Sequence, residues 1–446
     1  MLQAAEFAAR RARVLASLKN AIGLVFAGDA DPHLAHGYRP HAHFEYLTGL
    51  VDEPGAVLLL DPLNPVPARR VMLFLKPLNP ELEQWDGLRE PLGSALRGRC
   101  GIETILRTLA LSRFLLEAAR RAKRYACLHP LAPHTAPVSP DLELFRKLSE
   151  RIPGSAIDDR SQLLAELRAV KSPGEQALIQ RAIDITAVGF EAVMRELRPG
   201  LNEFDVQTLI EHTYREHGAR DLAFRTIAGG GINSTVLHYH ANDQALLDGD
   251  LICLDSGARV EGYAADITRT LPVSGRFTAR QRAVYEVVLA AQSAAIKAAK
   301  AGVSIMALDA AARAVITKAG FADAFVHGIG HHLGLETHDA SPDAALREGA
   351  VITIEPGIYL PKERIGIRIE DDIVIGRRSA TVLSSLIPKS VAEIESLMGR
   401  SVSARSPIDG SVPANAPARN AAGGGGGKRL ATTRTGAGSV ASRRTH

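Results

Sequence analysis

Helix-like and strand-like hydrophobic patterns alternate through the first part of the chain. Apolar residues at helical spacing come first, and short apolar runs typical of buried strands follow. The predicted elements are, in order, helix 7–18, strands 23–28, 56–61 and 70–75, and helices 109–124 and 141–150. Residues 29–49 are polar and rich in histidine, so we expect a loop there and another around Trp85, the only tryptophan. This pattern predicts an α/β domain over residues 1–160.

The rest of the chain repeats one arrangement, two helices followed by strands. The predicted helices are 161–171, 173–197, 203–217, 278–300 and 304–319, and the predicted strands lie within 251–275 and 350–376. Ser172 is predicted to cap the long second helix, with Pro173 at its first position and Glu175 completing a capping box. The repeated arrangement predicts two similar α+β halves in a second domain over residues 161–400.

The stretch 251–275 carries the first candidate chemistry. It predicts two neighbouring strands, with Asp255 at the end of the first apolar run and Asp266 in the second. Burying a carboxylate costs free energy unless a partner compensates its charge. Two such carboxylates on neighbouring strands suggest a cation between them, and the alternative is that each aspartate caps a turn.

Three more residues extend this pair into a candidate metal site. Glu355 ends one apolar strand, Glu370 interrupts another, and His331 lies in a histidine-rich segment. Oxygen-rich ligation with one nitrogen suits Mn²⁺, with Fe²⁺, Co²⁺ and Zn²⁺ as competitors. Four carboxylates exceed the charge that one buried divalent ion balances. The pattern therefore predicts two divalent ions, which can activate water to hydrolyse an amide.

The composition is that of a soluble globular protein with no membrane span. Hydrophobic residues make up 46% of the chain and charged residues 23%, and no apolar run approaches the roughly 20 residues that cross a bilayer. The net charge of +4 comes from residues 401–446, which hold seven basic residues and one acidic residue. We expect that Gly- and Ala-rich tail to be disordered, and the nearly neutral body gives no reason to expect a specific nucleic acid as partner.

Three widely separated cysteines bear on the compartment. Cys100, Cys127 and Cys253 match neither a disulfide framework nor a zinc site, so we expect buried thiols in a reducing cytoplasm. The first residues lack the apolar segment of a secretory signal. Serine and cysteine nucleophile motifs are also absent from the sequence.

Four motifs resemble the metal-binding motifs of the pita-bread peptidases that act beside proline, Xaa-Pro aminopeptidase (aminopeptidase P) and prolidase. They are LICLDSG…GYAADITRT, HGIGHHLGLETHD, VITIEPGIY and GIRIEDDIVI. The resemblance extends over residues 6–398. It implies an aminopeptidase P-like N-terminal domain and an α+β pita-bread catalytic domain, in which two similar halves surround a curved, mainly antiparallel sheet.

The same resemblance implies a dinuclear Mn²⁺ site. The matched ligands are Asp255, Asp266, His331, Glu355 and Glu370, and Asp266 and Glu370 would bridge the ions. A hydroxide bridging the two metals would attack the Xaa-Pro bond, with Glu355 accepting its proton. The implied reaction releases the N-terminal residue from a peptide that has proline in the second position.

Five further residues match positions around this site. His238 would stabilise the developing oxyanion, His338 would hydrogen-bond the substrate near the peptide bond, and His327 would line the prolyl pocket. Arg368 matches a position that supports the substrate site. Trp85 matches a residue that reaches into a neighbouring subunit's active site, which implies a homo-oligomer, a dimer or tetramer. The alternative is structural packing for the histidines and, for Trp85, packing within its own domain.

Two alternative functions stay open. The segment before His327 is short, and residues 340–350 lack the Val-Gly and the arginine of the bacterial aminopeptidase P pattern, as in short prolidase-type proteins. A prolidase, restricted to Xaa-Pro dipeptides, is therefore the alternative within the family. A non-catalytic pita-bread binding protein is the alternative from another class, and the complete ligand set argues against it.

Overall fold

A six-stranded mixed sheet organises the N-terminal part of the chain. The structure, a computed structural model, describes residues 2–30, 38–342 and 344–403. The strands are β1 (Ile22–Phe26), β2 (Val57–Leu60), β3 (Val71–Leu75), β4 (Thr104–Arg107), β5 (Arg124–Cys127) and β6 (Ala156–Asp159). The helices are α1 (Ala4–Leu18), α2 (Ala42–Thr48), α3 (Pro80–Asp86), α4 (Ser94–Cys100), α5 (Leu111–Ala122) and α6 (Pro140–Ser149). The strand order is β4-β3-β2-β1-β5-β6, and only the β1–β2 and β2–β3 pairs of this sheet are antiparallel.

Two segments that we expected to be loops contain helices. Helix α2 lies within residues 29–49, and α3 and α4 lie in the segment around Trp85, so the loop prediction was wrong for both. All seven residues of α2 are buried. A helix buried on every side has no polar face and therefore no helical period in its sequence. Residues 31–37 of the first segment lie outside the described residues.

Four of the six α-helices described in the second part pack in two pairs. The six helices are α7 (Gln162–Ala169), α8 (Pro173–Glu196), α9 (Glu203–Glu216), α10 (Ala279–Ala298), α11 (Ile305–Lys318) and α12 (Val391–Ser403). Helix α8 packs against α9, and α10 packs against α11. The predicted capping box is confirmed, because the Glu175 N–H donates to Ser172 Oγ (3.2 Å) and the Ser172 N–H donates to Glu175 Oε2 (2.9 Å).

The strands of the second part form small antiparallel sheets. They are β7 (Asp221–Leu222), β8 (Ile227–Gly230), β9 (Leu251–Ser256), β10 (Ala258–Val260), β11 (Tyr263–Ala264), β12 (Ile267–Pro272), β13 (Val351–Ile354), β14 (Gly357–Leu360), β15 (Ile365–Arg368), β16 (Asp371–Ile375) and β17 (Ala380–Val382). The strand orders are β12-β9-β8, β13-β16-β17, β11-β10-β7 and β14-β15. In the register, Thr268 lies opposite Asp255 and Ile354 lies opposite Asp371. The register places Asp255 and Asp266 near each other at the ends of β9 and β12. It also places Glu355 and Glu370 near each other at the ends of β13 and β16.

The apolar faces of these helices and sheets form a continuous core. Leu254, Ile267, Ile354 and Ile373 are fully buried at the strands that carry the candidate ligands, and burying apolar surface is the main favourable contribution to folding. No helix in the described ranges is long and apolar enough to cross a membrane. The tail predicted from residue 401 onward lies outside the described residues, apart from the three residues that end α12. The domain limits near residues 160 and 400 stay predictions.

Candidate active site

Two candidate ligands lie on the paired strands β9 and β12. Asp255 belongs to β9, and Asp266 immediately precedes β12. Strand β9 is central in its sheet, so Asp255 is enclosed by a strand on each side. The Glu370 N–H donates to the Thr268 carbonyl oxygen on β12 (3.1 Å). This backbone hydrogen bond brings a third carboxylate beside the aspartate pair.

The other half of the site reaches the cluster through a loop paired with β13. The Thr353 N–H donates to the His331 carbonyl oxygen (2.9 Å), and the His331 N–H donates to Thr353 Oγ1 (3.1 Å). Glu355 directly follows β13, and its N–H donates to the Ile329 carbonyl oxygen (2.8 Å). These backbone hydrogen bonds hold the His331 and Glu355 side chains at the end of the strand.

Four of the five predicted ligands, all except Asp255, lie close together in space. Nε2 of His331 lies 3.5 Å from Asp266 Oδ2 and 3.5 Å from Glu355 Oε1. Asp266, His331 and Glu370 each offer a ligand atom within 4.8 Å of the others. Nδ1 of His331 lies 3.1 Å from the His332 carbonyl oxygen. Because only a protonated nitrogen donates to a carbonyl, Nδ1 carries the hydrogen and Nε2 presents its lone pair to the cluster. Burial lowers the pKa of His331 to about 4, which keeps the ring neutral.

Burial also dominates the electrostatics of the carboxylates. It raises the pKa of Asp255, although the neighbouring Arg368 opposes the rise. Burial raises the pKa values of Asp266 and Glu370 well above their ordinary range, and the adjacent carboxylates add to the effect. Burial raises the pKa of Glu355 to about 7. The four groups can therefore be ionised together only when cations compensate their charges.

Two divalent cations fit these side chains. Asp255 Oδ1 is buried and has no hydrogen-bond partner in the part of the chain that the structure describes. A buried acceptor without a partner costs free energy, and an ion at this atom would remove that cost. Four carboxylates and one imidazole form an oxygen-rich ligand set that suits Mn²⁺ and the neighbouring divalent metals. Even with Arg368 beside them, four carboxylates leave more negative charge than one divalent ion can balance.

Arg368 connects three groups of the site. It lies in β15 and is 4% exposed. Its guanidinium donates to Asp255 Oδ2 (2.7 Å), Thr268 Oγ1 (3.0 Å) and the Tyr359 hydroxyl (3.2 Å). The Thr268 hydroxyl in turn donates to Glu370 Oε2 (2.7 Å). Arg368 therefore contacts residues of the site itself. It orients Asp255 directly and Glu370 through Thr268.

Histidines surround the cluster at the predicted positions. Nδ1 of His327 lies 2.9 Å from the Gly328 carbonyl oxygen, so this nitrogen carries the hydrogen and Nε2 accepts a hydrogen bond from the Tyr359 hydroxyl (2.8 Å). The His327 Nδ1 atom also lies 3.9 Å from Glu355 Oε2. The ring of the exposed His338 lies 4.0 Å from the His331 ring, between centroids. Both histidines therefore border the candidate ligands.

His238 and Trp85 are further from the cluster. His238 is exposed, and its influence on the pKa of Asp255 comes after those of burial and Arg368. Its ring is nearly parallel to that of His240, with 6.4 Å between the centroids. Trp85 lies on α3 with 85% of its surface exposed. Within a single chain, the structure does not bring Trp85 to the carboxylates.

Three functional neighbours were missed by sequence reasoning. Tyr359 joins His327 to Arg368, Thr268 joins Arg368 to Glu370, and the Asp266 N–H donates to Asp372 Oδ2 (3.1 Å). One signal was available for Thr268, since strand alternation places it on the same face as Asp266. No comparable signal marks Tyr359, because its role depends on the pairing of β14 with β15.

Comparisons with known proteins match both parts of the chain. Residues 177–377 match the model of metallopeptidase family M24, and residues 7–126 match that of the aminopeptidase P N-terminal domain. The Xaa-Pro aminopeptidase of Haemophilus influenzae is 33% identical over 431 residues, covering 88% of this chain and 97% of that protein. The Xaa-Pro dipeptidase of Pyrococcus furiosus is 38% identical over 248 residues, covering 54% of this chain and 70% of that protein.

A solved structure supports the same relationship. Aminopeptidase P from E. coli with the inhibitor Pro-Leu has a TM-score of 0.79 and 30% identity, covering 90% of this chain and 99% of the other. The predicted fold class is confirmed, an α/β N-terminal domain followed by an α+β pita-bread domain. The chain therefore belongs to metallopeptidase family M24 and carries the N-terminal domain of aminopeptidase P.

Proposed function

We propose that this chain is a metal-dependent Xaa-Pro aminopeptidase, which releases the N-terminal residue from peptides with proline second. The observation that carries the proposal is the meeting of a neutral His331 with buried carboxylates at the ends of paired strands. Membership of a metallopeptidase family and the full-length similarity to the Haemophilus influenzae Xaa-Pro aminopeptidase support it. A non-catalytic binding protein has no need of such a costly cluster of buried acids.

The proposed ligands of two divalent ions, most suitably Mn²⁺, are Asp255, Asp266, His331, Glu355 and Glu370. Asp266 and Glu370 would each contact both ions, and Asp266 raises the pKa of Glu370, which supports their closeness. When bound, two such ions polarise the scissile carbonyl and acidify the attacking water. Asp255 Oδ1 accepts no hydrogen bond from the described residues, so this oxygen can serve as a ligand atom.

Glu355 is proposed to accept the proton of the attacking water. Its carboxylate lies beside His331 and within 3.9 Å of the His327 ring, so it stands at the edge of the cluster. Burial raises its pKa to about 7. A carboxylate placed beside the attacking water can accept a proton and then return it to the leaving proline nitrogen.

The histidines are proposed to handle the substrate. His238 is proposed to donate to the developing oxyanion, His338 to hydrogen-bond the substrate near the peptide bond, and His327 to border the prolyl ring. The positions of His327 and His338 beside the candidate ligands support their roles, and the influence of His238 on the pKa of Asp255 supports that of His238. Arg368 is proposed to support the substrate site by holding Asp255 in place.

A prolidase is the second candidate function, because the Pyrococcus furiosus Xaa-Pro dipeptidase is 38% identical over the matched residues. The two activities differ in substrate length rather than in the bond that is cleaved. A dipeptidase must recognise the carboxylate of the proline itself, because proline is the last residue of its substrate. An aminopeptidase accepts further residues after the proline. Peptides of two and three residues therefore separate the two candidates.

Further parts of the proposal concern assembly and location. We propose a homo-oligomer, a dimer or tetramer, in which Trp85 contributes to a neighbouring subunit's site. The 85% exposure of Trp85 supports this contact with a second subunit.

We propose a cytoplasmic location, which the three buried free thiols support. Domain limits near residues 160 and 400 are compatible with the two matched family models. Sedimentation of the wild type and of Trp85→Ala, with activity assays, tests the assembly.

The deciding experiment is hydrolysis of Arg-Pro-Pro by metal-stripped protein with and without added Mn²⁺, with release of free arginine as the signal. Arg-Ala-Pro is the matched control peptide, because its second residue keeps the N–H that proline lacks. Mn²⁺-dependent release from Arg-Pro-Pro alone supports the aminopeptidase. Cleavage of Ala-Pro without cleavage of Arg-Pro-Pro would select the prolidase. No cleavage of either peptide with any divalent ion would favour the binding protein.

A further inference from the structure

A cluster of buried charged side chains packs against the loop that carries two of the site's histidines. We call residues 331–339 the histidine loop. It contains no helix or strand, yet it presents His331 to the carboxylates and places the His338 ring beside that of His331, tilted by 37°. Such a loop keeps one conformation only if other elements hold it. The question is which contacts supply that restraint.

Asp339 anchors the end of the histidine loop. Its N–H donates to the His332 carbonyl oxygen (2.8 Å), which closes the loop on itself. Its buried carboxylate pairs with Lys171 (3.1 Å from Nζ to Oδ2) and with Arg168. Burial by itself would raise the pKa of Asp339, but Lys171 and Arg168 hold it below its ordinary value. The carboxylate is therefore ionised, and its position depends on both cations.

Arg168 reaches further than Lys171 does. It is 2% exposed, and besides Asp339 it donates to Glu336 Oε2 (2.7 Å), within the same loop. Its other terminal nitrogen donates to Nδ1 of His43 (2.9 Å) on α2. The planar, forked guanidinium can bond to partners in several directions, which a single ammonium cannot do with fixed geometry.

His43 is itself held rigidly in the N-terminal part. It is buried, and its backbone N–H donates to Nδ1 of His41 (3.2 Å). The His41 ring packs edge-on against His129, with 4.5 Å between the centroids. Nε2 of His129 accepts a hydrogen bond from the Phe26 N–H in β1 (3.0 Å). A chain of contacts therefore runs from the N-terminal sheet to Arg168.

We infer that Arg168 is a positioning residue for peptide hydrolysis, which ties the N-terminal part to the histidine loop and so sets His338 beside the candidate metal ligands. The inference rests on the proposed role of His338 in the proposed function. Arg168 does not touch the cluster itself. It acts through Asp339, the residue next to His338, and through Glu336 in the same loop.

The first test measures the histidine loop without any enzyme activity. Hydrogen exchange is followed by mass spectrometry in metal-stripped wild type, Arg168→Met and Arg121→Met. Arg121 is the matched control, since it pairs with the buried Asp61 in the N-terminal part. We expect Arg168→Met to speed exchange in residues 331–339 by about tenfold, because local opening becomes easier. Unchanged exchange in this loop, or equal acceleration in Arg121→Met, would overturn the inference.

The second test is a double-mutant cycle with His338→Ala, using Mn²⁺-loaded protein and Arg-Pro-Pro. We expect Arg168→Met to lower kcat about 10- to 100-fold, the usual cost of losing an outer-sphere partner, while KM changes less. In the His338→Ala background the same substitution should lower kcat less than about twofold. An equal loss of kcat in both backgrounds, or a normal kcat for His338→Ala, would contradict action through His338.

Arg168→Lys covers the case in which Arg168→Met does not fold. Lysine keeps a cation beside Asp339 but has no second nitrogen that can donate to His43. For Arg168→Lys we expect hydrogen exchange in residues 331–339 to be faster than in the wild type but slower than in an unfolded peptide. We also expect a reduced kcat. A wild-type exchange pattern and kcat for Arg168→Lys would overturn the inference. A wild type that releases no arginine would defeat the proposed function instead, and the exchange experiment would still decide whether Arg168 holds the loop.

Discussion

Arg368 donates a hydrogen bond to Oδ2 of Asp255 across 2.7 Å, while Oδ1 of the same carboxylate is buried without a partner among the described residues. One oxygen is thus fixed by a permanent cation, and the other is left for a ligand. Arg368 thus offsets part of the cost of burying this carboxylate and still leaves one oxygen atom to coordinate an ion. It also makes Arg368 a sensitive position in the site.

Arg368→Met should weaken metal binding or activity by roughly 10- to 100-fold, as other losses of partners to metal ligands do. Without the guanidinium, burial would raise the pKa of Asp255 further and favour its protonated form. Mn²⁺ titration calorimetry and kcat/KM on Arg-Pro-Pro measure the effect. Arg280→Met is the control, since it breaks an exposed pair with Glu363 that contributes little. Equal values for the two variants would contradict this role of Arg368.

Asp266→Ala or Glu370→Ala should abolish activity and reduce bound metal at both positions, because each side chain is proposed to contact two ions. Metal content after dialysis, measured by mass spectrometry, and arginine release from Arg-Pro-Pro provide the readouts. Glu363→Ala, which removes an exposed carboxylate, serves as control. Normal metal content and turnover in either site variant would show that the two-ion assignment is wrong.

In the metal-free protein, Glu355 should contribute stability that is lost as the pH rises from about 4.5 to 7. Burial raises the pKa of Glu355 from an ordinary value of 4.5 to about 7, so the folded state binds this proton more tightly than the unfolded chain does. The resulting stabilisation is complete below pH 4.5 and is lost as the pH passes 7. Thermal unfolding of metal-stripped wild type and Glu355→Gln across this range isolates the effect of Glu355.

Added Mn²⁺ should reverse this trend, because the ligands must lose their protons to bind the ions. The stabilisation produced by Mn²⁺ should therefore grow as the pH rises through the same range. A wild type and a Glu355→Gln variant with parallel pH profiles, or a metal effect independent of pH, would contradict the raised pKa of Glu355.

His238→Ala should lower kcat by about 10²- to 10³-fold with a smaller change in KM, the pattern for a donor that acts on the oxyanion of the transition state. The measurement is steady-state kinetics on Arg-Pro-Pro with saturating Mn²⁺. His212→Ala is the matched control, since His212 is an exposed histidine on α9 paired with Glu216. A loss confined to KM would assign His238 to substrate binding rather than to the transition state.

The sequence alone predicted the candidate ligand residues and the order of most of the long helices and of the strands that carry those residues. Carboxylates at the ends of apolar runs, such as Asp255 and Glu355, are conspicuous because burying them costs free energy that only a partner offsets. The capping box at Ser172 and Glu175 was equally visible, since its hydrogen bonds are local. Information of this kind lies within a few residues and needs no knowledge of the fold.

The tertiary structure decided the features that depend on contacts between distant segments. Helix α2 was missed because burial on every side removes the helical period from its sequence. The contacts of Arg368 with Asp255 and of Arg168 with Asp339 join residues more than 100 positions apart. The residues around Arg168 do not distinguish it from a surface arginine, and the resemblance that marked Arg368 did not give its partners. A charged side chain acquires such a role only when strand pairing and packing remove it from water and place its partner within reach.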